Sequence, residues 1–492
     1  MRRCGAGHNI WGGDTFYVVM KLTRLLSLLI PAAIALAATG CIDDGFSGSA
    51  ADQPTFSTDT LDMGVIFTDA PSTTHRFTVY NRADKAIFIG SIALRGEHAG
   101  LFRLNVDGMS GRDFAGVEIR AKDSIYVFVA ATLPPNGLTA PVEVAAALDF
   151  TTMGETRTVT LAARGRDVER LRAVTLTADT RLTADRPYQV FDSLVVAPGA
   201  TLTIDPGAEL LFHDGAYMAV RGTLKAVGTP EAEITMAGDR TGNVVSDISF
   251  DLMSRQWTGL FFTATSTDNE LSHTCVRNTW QGVTVDRAPL LMVNTRLRNS
   301  GGTVLDATHA AISAYGCELA EAAAGVVRLH GGSHTFNHCT LANYYLFSAI
   351  GGPLVAFGHY KDGDDSTDDS GLPLLRADFS NCILYGLGTD LGDGKLDGTG
   401  ITLRRCLLRS DGSDDDNFIA CLWDTDPMYR TVREDYLFDY RLQPESPAIG
   451  AADPALTAPQ AAADRYGMSR GASPDLGAYV YTPDNEQDHH DD

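Results

Sequence analysis

From Ser193 to Gly238 the chain alternates short aliphatic runs with turn residues, SLVVAPGATLTIDPGAELLFHDGAYMAVRGTLKAVGTPEAEITMAG. The runs at 194–196, 201–204, 218–220, 223–224 and 234–235 read in-and-out along each piece and are separated by Pro-Gly or Gly every few residues. No segment is long enough for a helix. The turns carry single glycines and Pro-Gly pairs rather than the Asn-Gly or Asp-Gly of two-residue hairpins. Strands this short find partners most simply in the coil above, which predicts a parallel β-helix whose first complete coils lie here.

Upstream the pattern changes. The pieces at 76–80, 86–89, 124–129 and 156–161 alternate strictly and are spaced by turn residues, which predicts a two-sheet β-sandwich of about 110 residues, over 55–167. Downstream, a small residue followed by an aliphatic one recurs: Thr295-Arg296-Leu297, Cys317-Glu318-Leu319, Cys339-Thr340-Leu341, Cys382-Ile383-Leu384 and Cys406-Leu407-Leu408. The steps are 22, 22, 43 and 24 residues. The 43 is one coil with an insertion or two coils, and the others are solenoid coil lengths. One position repeated per turn forms an inward ladder, with the cysteines as small hydrophobes in the core. Cys275 lies 20 residues before Thr295, one place out of step. Asn278, Asn294, Asn299, Asn337, Asn343 and Asn381 recur near the same bends, where asparagine tolerates left-handed backbone.

Length and composition fit this division. A chain of 492 residues exceeds one ordinary core, and 48 glycines with 44% hydrophobic residues suit all-β construction. The formal charge of -23, from 39 Lys and Arg against 62 Asp and Glu, repels phosphate backbones, so no nucleic-acid partner is expected. The six cysteines after Cys41 would suit three disulfides in an exported protein, but one cysteine per coil favours buried free thiols.

The N-terminal text carries an address. Met20 to Arg24 is a basic region, 25–36 an apolar core, and Ala37-Ala38-Thr39-Gly40 a small-residue site before Cys41. Together they read as a secretory signal over 20–40, too short for a stable span. Residues 1–19 lack signal character, and translation is expected to start at Met20. The ending resembles the bacterial lipobox, which implies a diacylglyceryl group on Cys41 and a membrane anchor. Residues 41–54 read as a tether, and Asp43-Asp44 behind Cys41 resemble the export signal of surface lipoproteins in the Bacteroidota. The tail, 482–492, is charged and expected to be disordered.

Two resemblances follow from longer motifs. Thr60 to Gly64 (TLDMG), Phe77 to Ile92 (FTVYNRADKAIFIGSI) and Leu161 to Asp167 (LAARGRD) look like Ig-like domains of the abnormal-spindle/hydin type. Gly199 to Gly207 (GATLTIDPG), Val220 to Ala226 (VRGTLKA), Gln256-Trp257-Thr258-Gly259-Leu260, His338 to Tyr344 (HCTLANY), Ser446 to Ile449 (SPAI) and Pro474 to Tyr479 (PDLGAY) resemble the right-handed parallel β-helix lipoproteins of Bacteroidota. That likeness covers 168–481, with the block from Asp439 onward as a cap closing the open end, and it implies the fold of pectate lyases and a carbohydrate-facing role by analogy.

Candidate chemistry sits in carboxylate-rich insertions at 361–371, 390–400 and 411–417. Asp362, Asp364, Asp365, Asp393, Asp397, Asp414, Asp415 and Asp416 suit Ca²⁺ or plain solvated turns. A lyase would use arginine as base beside calcium carboxylates, which singles out Arg404 and Arg405 between two acidic loops. A polygalacturonase-type set cannot be assembled in order, His330-Gly331 being its lone fragment. Trp257, Trp280, Tyr344 and Tyr345 are candidates for stacking on sugar rings or for ordinary packing.

The expectation is therefore an all-β, monomeric outer-membrane lipoprotein of a Gram-negative cell, in which a sandwich lifts a β-helix of about nine or ten coils, roughly 4.8 Å each. Binding of a polysaccharide or a surface partner comes first; a calcium-assisted polysaccharide lyase or a glycoside hydrolase, and a purely structural element, are the alternatives. The anchor is tested by metabolic labelling: the wild type incorporates palmitate and sediments with membranes, whereas Cys41→Ser does neither.

Overall fold

The computed structural model describes residues 45–245, 248–361, 371–392 and 395–483. The chain divides into two compact units, the first from the N-terminal side to Leu61 with 74–130 and 146–161, the second 62–73, 131–145 and 162–492. Among the described residues no helix is long and apolar enough to cross a membrane.

The N-terminal strands form two five-stranded sheets. Ile87–Arg95 pairs antiparallel with Asp113–Ile119 and with Val142–Thr152, and His75–Tyr80 pairs antiparallel with Ser124–Ala131. Alternate residues of Ser124–Ala131 are buried, as the strict alternation requires. Phe56 and Phe77 of one sheet meet Phe150 of the other with ring centroids 4.8 and 6.3 Å apart, so the apolar rows of the two sheets share one core.

The second unit is a parallel β-helix. Each full coil supplies three strands, as in Val283–Asp286, Pro289–Val293 and Arg296–Ser300, and each strand pairs in parallel with its counterpart a coil later, Leu305–Thr308, Ala311–Tyr315 and Glu318–Ala322. Glu169–Leu176 opens two of the three ladders at once by pairing in parallel with Tyr188–Val196, from which the ladders divide: 188–190 pairs along the third face and 193–196 along the first, with the chain turning at left-handed Asp192 (φ 62).

One left-handed residue makes the bend from the second face to the third in coil after coil: His273, Asn294, Gly316, His338, Asn381, Arg405 and Ala420 have φ of 43, 48, 63, 50, 56, 54 and 53. Asn and Gly adopt this conformation most readily, which accounts for part of the asparagine recurrence. Asn278, Asn299 and Glu321, at φ 63, 57 and 50, mark the far end of the third face. The left-handed side chain leans over the next coil, so a Cβ on Gly316 would lie 2.3 Å from Asn294 Oδ1 and one on Gly331 the same distance from His309 Nδ1.

Directly after this bend stands the small-residue column. Cys275, Arg296, Glu318, Thr340, Ile383, Leu407 and Leu422 are in register along the third face. The residues one place earlier, Thr274, Thr295, Cys317, Cys339, Cys382, Cys406 and Cys421, therefore form the inward ladder, and the 43-residue step is a single coil with insertions. The six cysteines among the described residues are all free. Threonine and cysteine do the same work: Thr295 Oγ1 donates to Val293 O (3.1 Å) and Leu271 O (2.9 Å), while Cys382 Sγ donates to Ser380 O (3.3 Å) and Phe336 O (3.4 Å). Inward rings also stack between coils, Phe212 on Trp257 at 4.0 Å and Phe336 on Phe379 at 4.7 Å.

The C-terminal segment does not sit over the open end as expected. Ala448, Leu476, Ala478, Tyr429 and Tyr440 pack along the third face against Ala320, Ala342, Ile383 and Leu407. Those outward positions are apolar, so Glu318–Ala322 and Thr340–Ala342 are buried on both sides and need a cover.

Replacing Cys339 tests the column. Cys339→Ser keeps a donor for Asn337 O and Ala314 O and is expected to cost under about 1.5 kcal/mol. Cys339→Leu overfills a fully buried site and is expected to cost about 1–3 kcal/mol, read by urea unfolding.

Candidate functional site

The outward side of the third face changes character along the helix. Where the C-terminal segment covers it, the outward residues are apolar or, like Glu318 and Thr340, hydrogen-bonded to the cover; earlier coils present Cys275 and Arg277, then Arg296 and Arg298, at alternate positions of Thr274–Arg277 and Arg296–Ser300. Pairing sets Arg296 beside Cys275 and Arg298 beside Arg277. These side chains, with Glu233, Thr235, Asp251 and Leu252, line a cavity of about 250 Å³.

Ion pairs frame the cavity. Arg296 donates to both Glu233 oxygens (Nε–Oε1 3.2 Å, Nη2–Oε2 2.5 Å), and Arg465 of the C-terminal segment donates to Oε1 at 2.8 Å. Burial opposes the Glu233 carboxylate, but the two guanidinium groups outweigh it and hold the carboxyl below its ordinary range. Arg277 pairs with Asp251. The loop carrying Asp251 is pinned by bend asparagines: Asn278 Nδ2 donates to Asp251 O (2.6 Å) and Met253 O (3.0 Å), and Asn299 Nδ2 donates to Asp251 O at 3.2 Å. A residue type that bends the coil thus also fixes one wall of the cavity.

Beneath lies a second tier. Arg298 Nε is 3.6 Å from Glu321 Oε2, the Tyr440 hydroxyl donates to Glu321, and the Tyr479 hydroxyl donates to Glu318. Burial pushes the Glu321 carboxyl up to about 7 despite the Arg298 charge beside it. A small cavity of about 20 Å³ touches Arg298, Glu321 and Tyr345, room for a water and not for a sugar ring.

The residues singled out from the sequence do not converge. Arg404 pairs with Asp378 at 2.7 Å on the second face, while Arg405 occupies the left-handed bend and donates to Ala451 O at 2.7 Å. His330 ends the first-face strand Val327–His330, its ring 5.5 and 5.8 Å from those of His309 and His359. Trp257 is corrected from a platform to a core residue: it is 1% exposed, stacks inside the coil, and donates from Nε1 to Arg277 O. Tyr345 is likewise buried, its hydroxyl 2.6 Å from Ser254 Oγ. Tyr344 packs against Tyr429 and Tyr440 of the C-terminal segment, and burial raises its phenol. Trp280 is half exposed, with the Arg255 guanidinium 4.5 Å from its ring centroid.

Asp362, Asp364, Asp365 and Asp393, like Cys41, lie outside the described residues. Asp414 accepts from Ala420 N, Cys421 N and Trp423 Nε1, and Asp415 Oδ1 accepts from Asn417 N and Phe418 N. Both carboxylates therefore brace their own loop. Asp397 and Asp415 border a cavity of about 280 Å³ with Lys395 and Phe418, and Asp416 is exposed. Among the described residues no group of three or more His, Cys, Asp or Glu is arranged to hold a metal ion.

The residues that do come together, Glu233, Asp251, Arg277, Arg296 and Arg298, were missed. A signal existed in Thr295-Arg296-Leu297-Arg298, where charges alternate with inward residues one coil after Cys275-Val276-Arg277.

No protein-family model matches the chain, and no curated protein matches it. Among solved structures it is similar to a family 123 glycoside hydrolase from Clostridium perfringens, at 7% identity over 24% of this chain and 30% of that chain, with a TM-score of 0.18. A protein of unknown function from Porphyromonas gingivalis aligns at 11% identity over 26% of this chain and 60% of that one, TM-score 0.17. The catalytic unit of a GH87 alpha-1,3-glucanase from Streptomyces thermodiastaticus aligns at 10% identity over 71% and 88%, TM-score 0.15. The chain thus spans less than two thirds of the first two, and scores this low leave function to be read from the site.

Glu321 makes stability depend on pH. Between its ordinary value of 4.5 and about 7, the folded protein holds a proton that the unfolded chain has released, so this contribution falls as pH rises. From pH 5 to pH 8 the wild type should lose up to about 3 kcal/mol more unfolding free energy than Glu321→Gln, measured by urea titration at each pH.

Proposed function

We propose that this protein is a lipid-anchored envelope protein whose β-helix binds a polysaccharide, with the N-terminal sandwich, Ig-like in its motifs, as the spacer. The observation that carries the reading is the arginine-lined cavity on the third face, where the C-terminal cover gives way to a charged wall of rigid, in-register strands. A wall of this kind recognises a repeating polymer without rearranging, since each coil presents its side chains at a fixed spacing.

Binding is favoured over hydrolysis by the state of the carboxylates. A glycosidase needs one carboxylic acid and one carboxylate flanking the sugar. Glu233 and Asp251, which border the cavity, are each held in ion pairs with arginines, and Glu321, whose carboxyl burial pushes up to about 7, faces a space too small for a sugar.

The purified protein is expected to be retained on at least one member of a panel of immobilised bacterial and plant polysaccharides, with Arg277→Gln weakening retention about tenfold and no new reducing ends or unsaturated products appearing. Absence of retention at high micromolar concentration would overturn the reading, and product formation would replace it with the enzyme.

A further inference from the structure

We propose that the cavity is an anion pocket, selecting ligands that carry a carboxylate or sulfate group, with Arg298 and Arg277 as the clamp and the Cys275 thiol on its wall. The inference rests on the binding reading above and narrows it to acidic ligands.

A guanidinium offers five N–H groups in a planar fork that fits a carboxylate or sulfate bidentately. Arg296 spends two donors on Glu233. Among the described residues Arg298 is held by the ion pair with Glu321, whose nearest oxygen is 3.6 Å away, beyond hydrogen-bond reach. Arg277 bonds Asp251 through Nη1, and its Nε has no partner. Arg298 and Arg277 line the same cavity, and their side chains are 21% and 25% exposed. Two neighbouring forks with most of their donors unspent, in a half-desolvated recess, match a planar anionic group. The carboxylates nearby leave donors over: Asp251 engages only Nη1 of Arg277, Glu233 is shared between Arg296 and Arg465, Glu318 accepts from the Tyr479 hydroxyl, and burial pushes the Glu321 carboxyl up to about 7.

Cys275 makes the pocket readable. It belongs to the outward row with Arg296, and the other fully buried thiols, of Cys317, Cys339, Cys382 and Cys406, face the core. A methanethiosulfonate reagent reacts when the thiolate sulfur attacks the reagent's sulfenyl sulfur, forming a mixed disulfide and expelling methanesulfinate. Labelling of the intact folded protein is followed by peptide mass mapping, which separates Cys275 from the partly exposed Cys421.

The anionic sulfonatoethyl reagent is expected to label Cys275 at least tenfold faster than the cationic trimethylammonioethyl reagent, with the preference lost in Arg298→Gln. Millimolar glucuronate or sodium sulfate should slow labelling and raise the wild-type Tm but not that of Arg298→Gln, the more effective of the two identifying the group preferred. Equal rates, a cationic preference, or no labelling together with no Tm rise would overturn the anion pocket. Retention on a neutral polysaccharide with equal labelling rates would sink the pocket and leave the binding reading standing. Charge-selective labelling without retention on any polymer would sink the binding reading alone.

Discussion

In-register stacking of parallel coils is the constraint from which the rest of the second unit follows. Neighbouring strands lie about 4.8 Å apart, so whatever a coil places at one position meets its equivalent in the next. An inward position must then accept its like in the next coil: hence the column of Thr274, Thr295 and the cysteines, the aliphatic column of Val276, Leu297, Leu319, Leu341, Leu384 and Leu408, and the stacked rings of Phe212 with Trp257 and Phe336 with Phe379. The bend must be sharp in every coil, which one left-handed residue achieves. The same rule works on the outside, where it sets Arg298 beside Arg277 and Arg296 beside Cys275.

The charged wall exists because the third face is only partly covered. Apolar outward residues such as Ala320 and Leu407 draw in the C-terminal segment, whose tyrosines reach Glu318 and Glu321 and whose Arg465 reaches Glu233. In the earlier coils the outward rows turn to arginine and line a cavity, which Arg465 of the segment borders through Glu233. Burial then divides the carboxylates: Glu233, between two guanidinium groups, stays ionised, while Glu321, deeper and with one arginine at 3.6 Å, is pushed toward neutrality. Proximity to opposite charge and removal from water act in opposite directions, and the number of close guanidinium groups decides which prevails.

The fold was legible because its rules are local and repeated. Period-two alternation, glycine turns and the recurrence of Cys317, Cys339, Cys382 and Cys406 announce strands, bends and a ladder, and the irregular spacing of Cys275 correctly marked it as out of step. The candidate site was less legible. Acidity drew attention to Asp414 and Asp415, whose oxygens brace their own loop, and aromaticity drew attention to Trp257 and Tyr345, which are buried. An amphipathic ring reads the same in sequence whether it lines a groove or fills a core.

The sequence by itself determined the all-β class, the coil period and the inward column, because each depends on residues within one or two turns of the chain. Only the tertiary structure decided where the C-terminal segment lies, and therefore which outward row stays open. That choice couples residues as far apart as Glu233 and Arg465, and Glu321 and Tyr440, and separations of that length leave no periodic trace in the text. Burial by a distant segment, more than local pattern, settled which of the many charged side chains share a site.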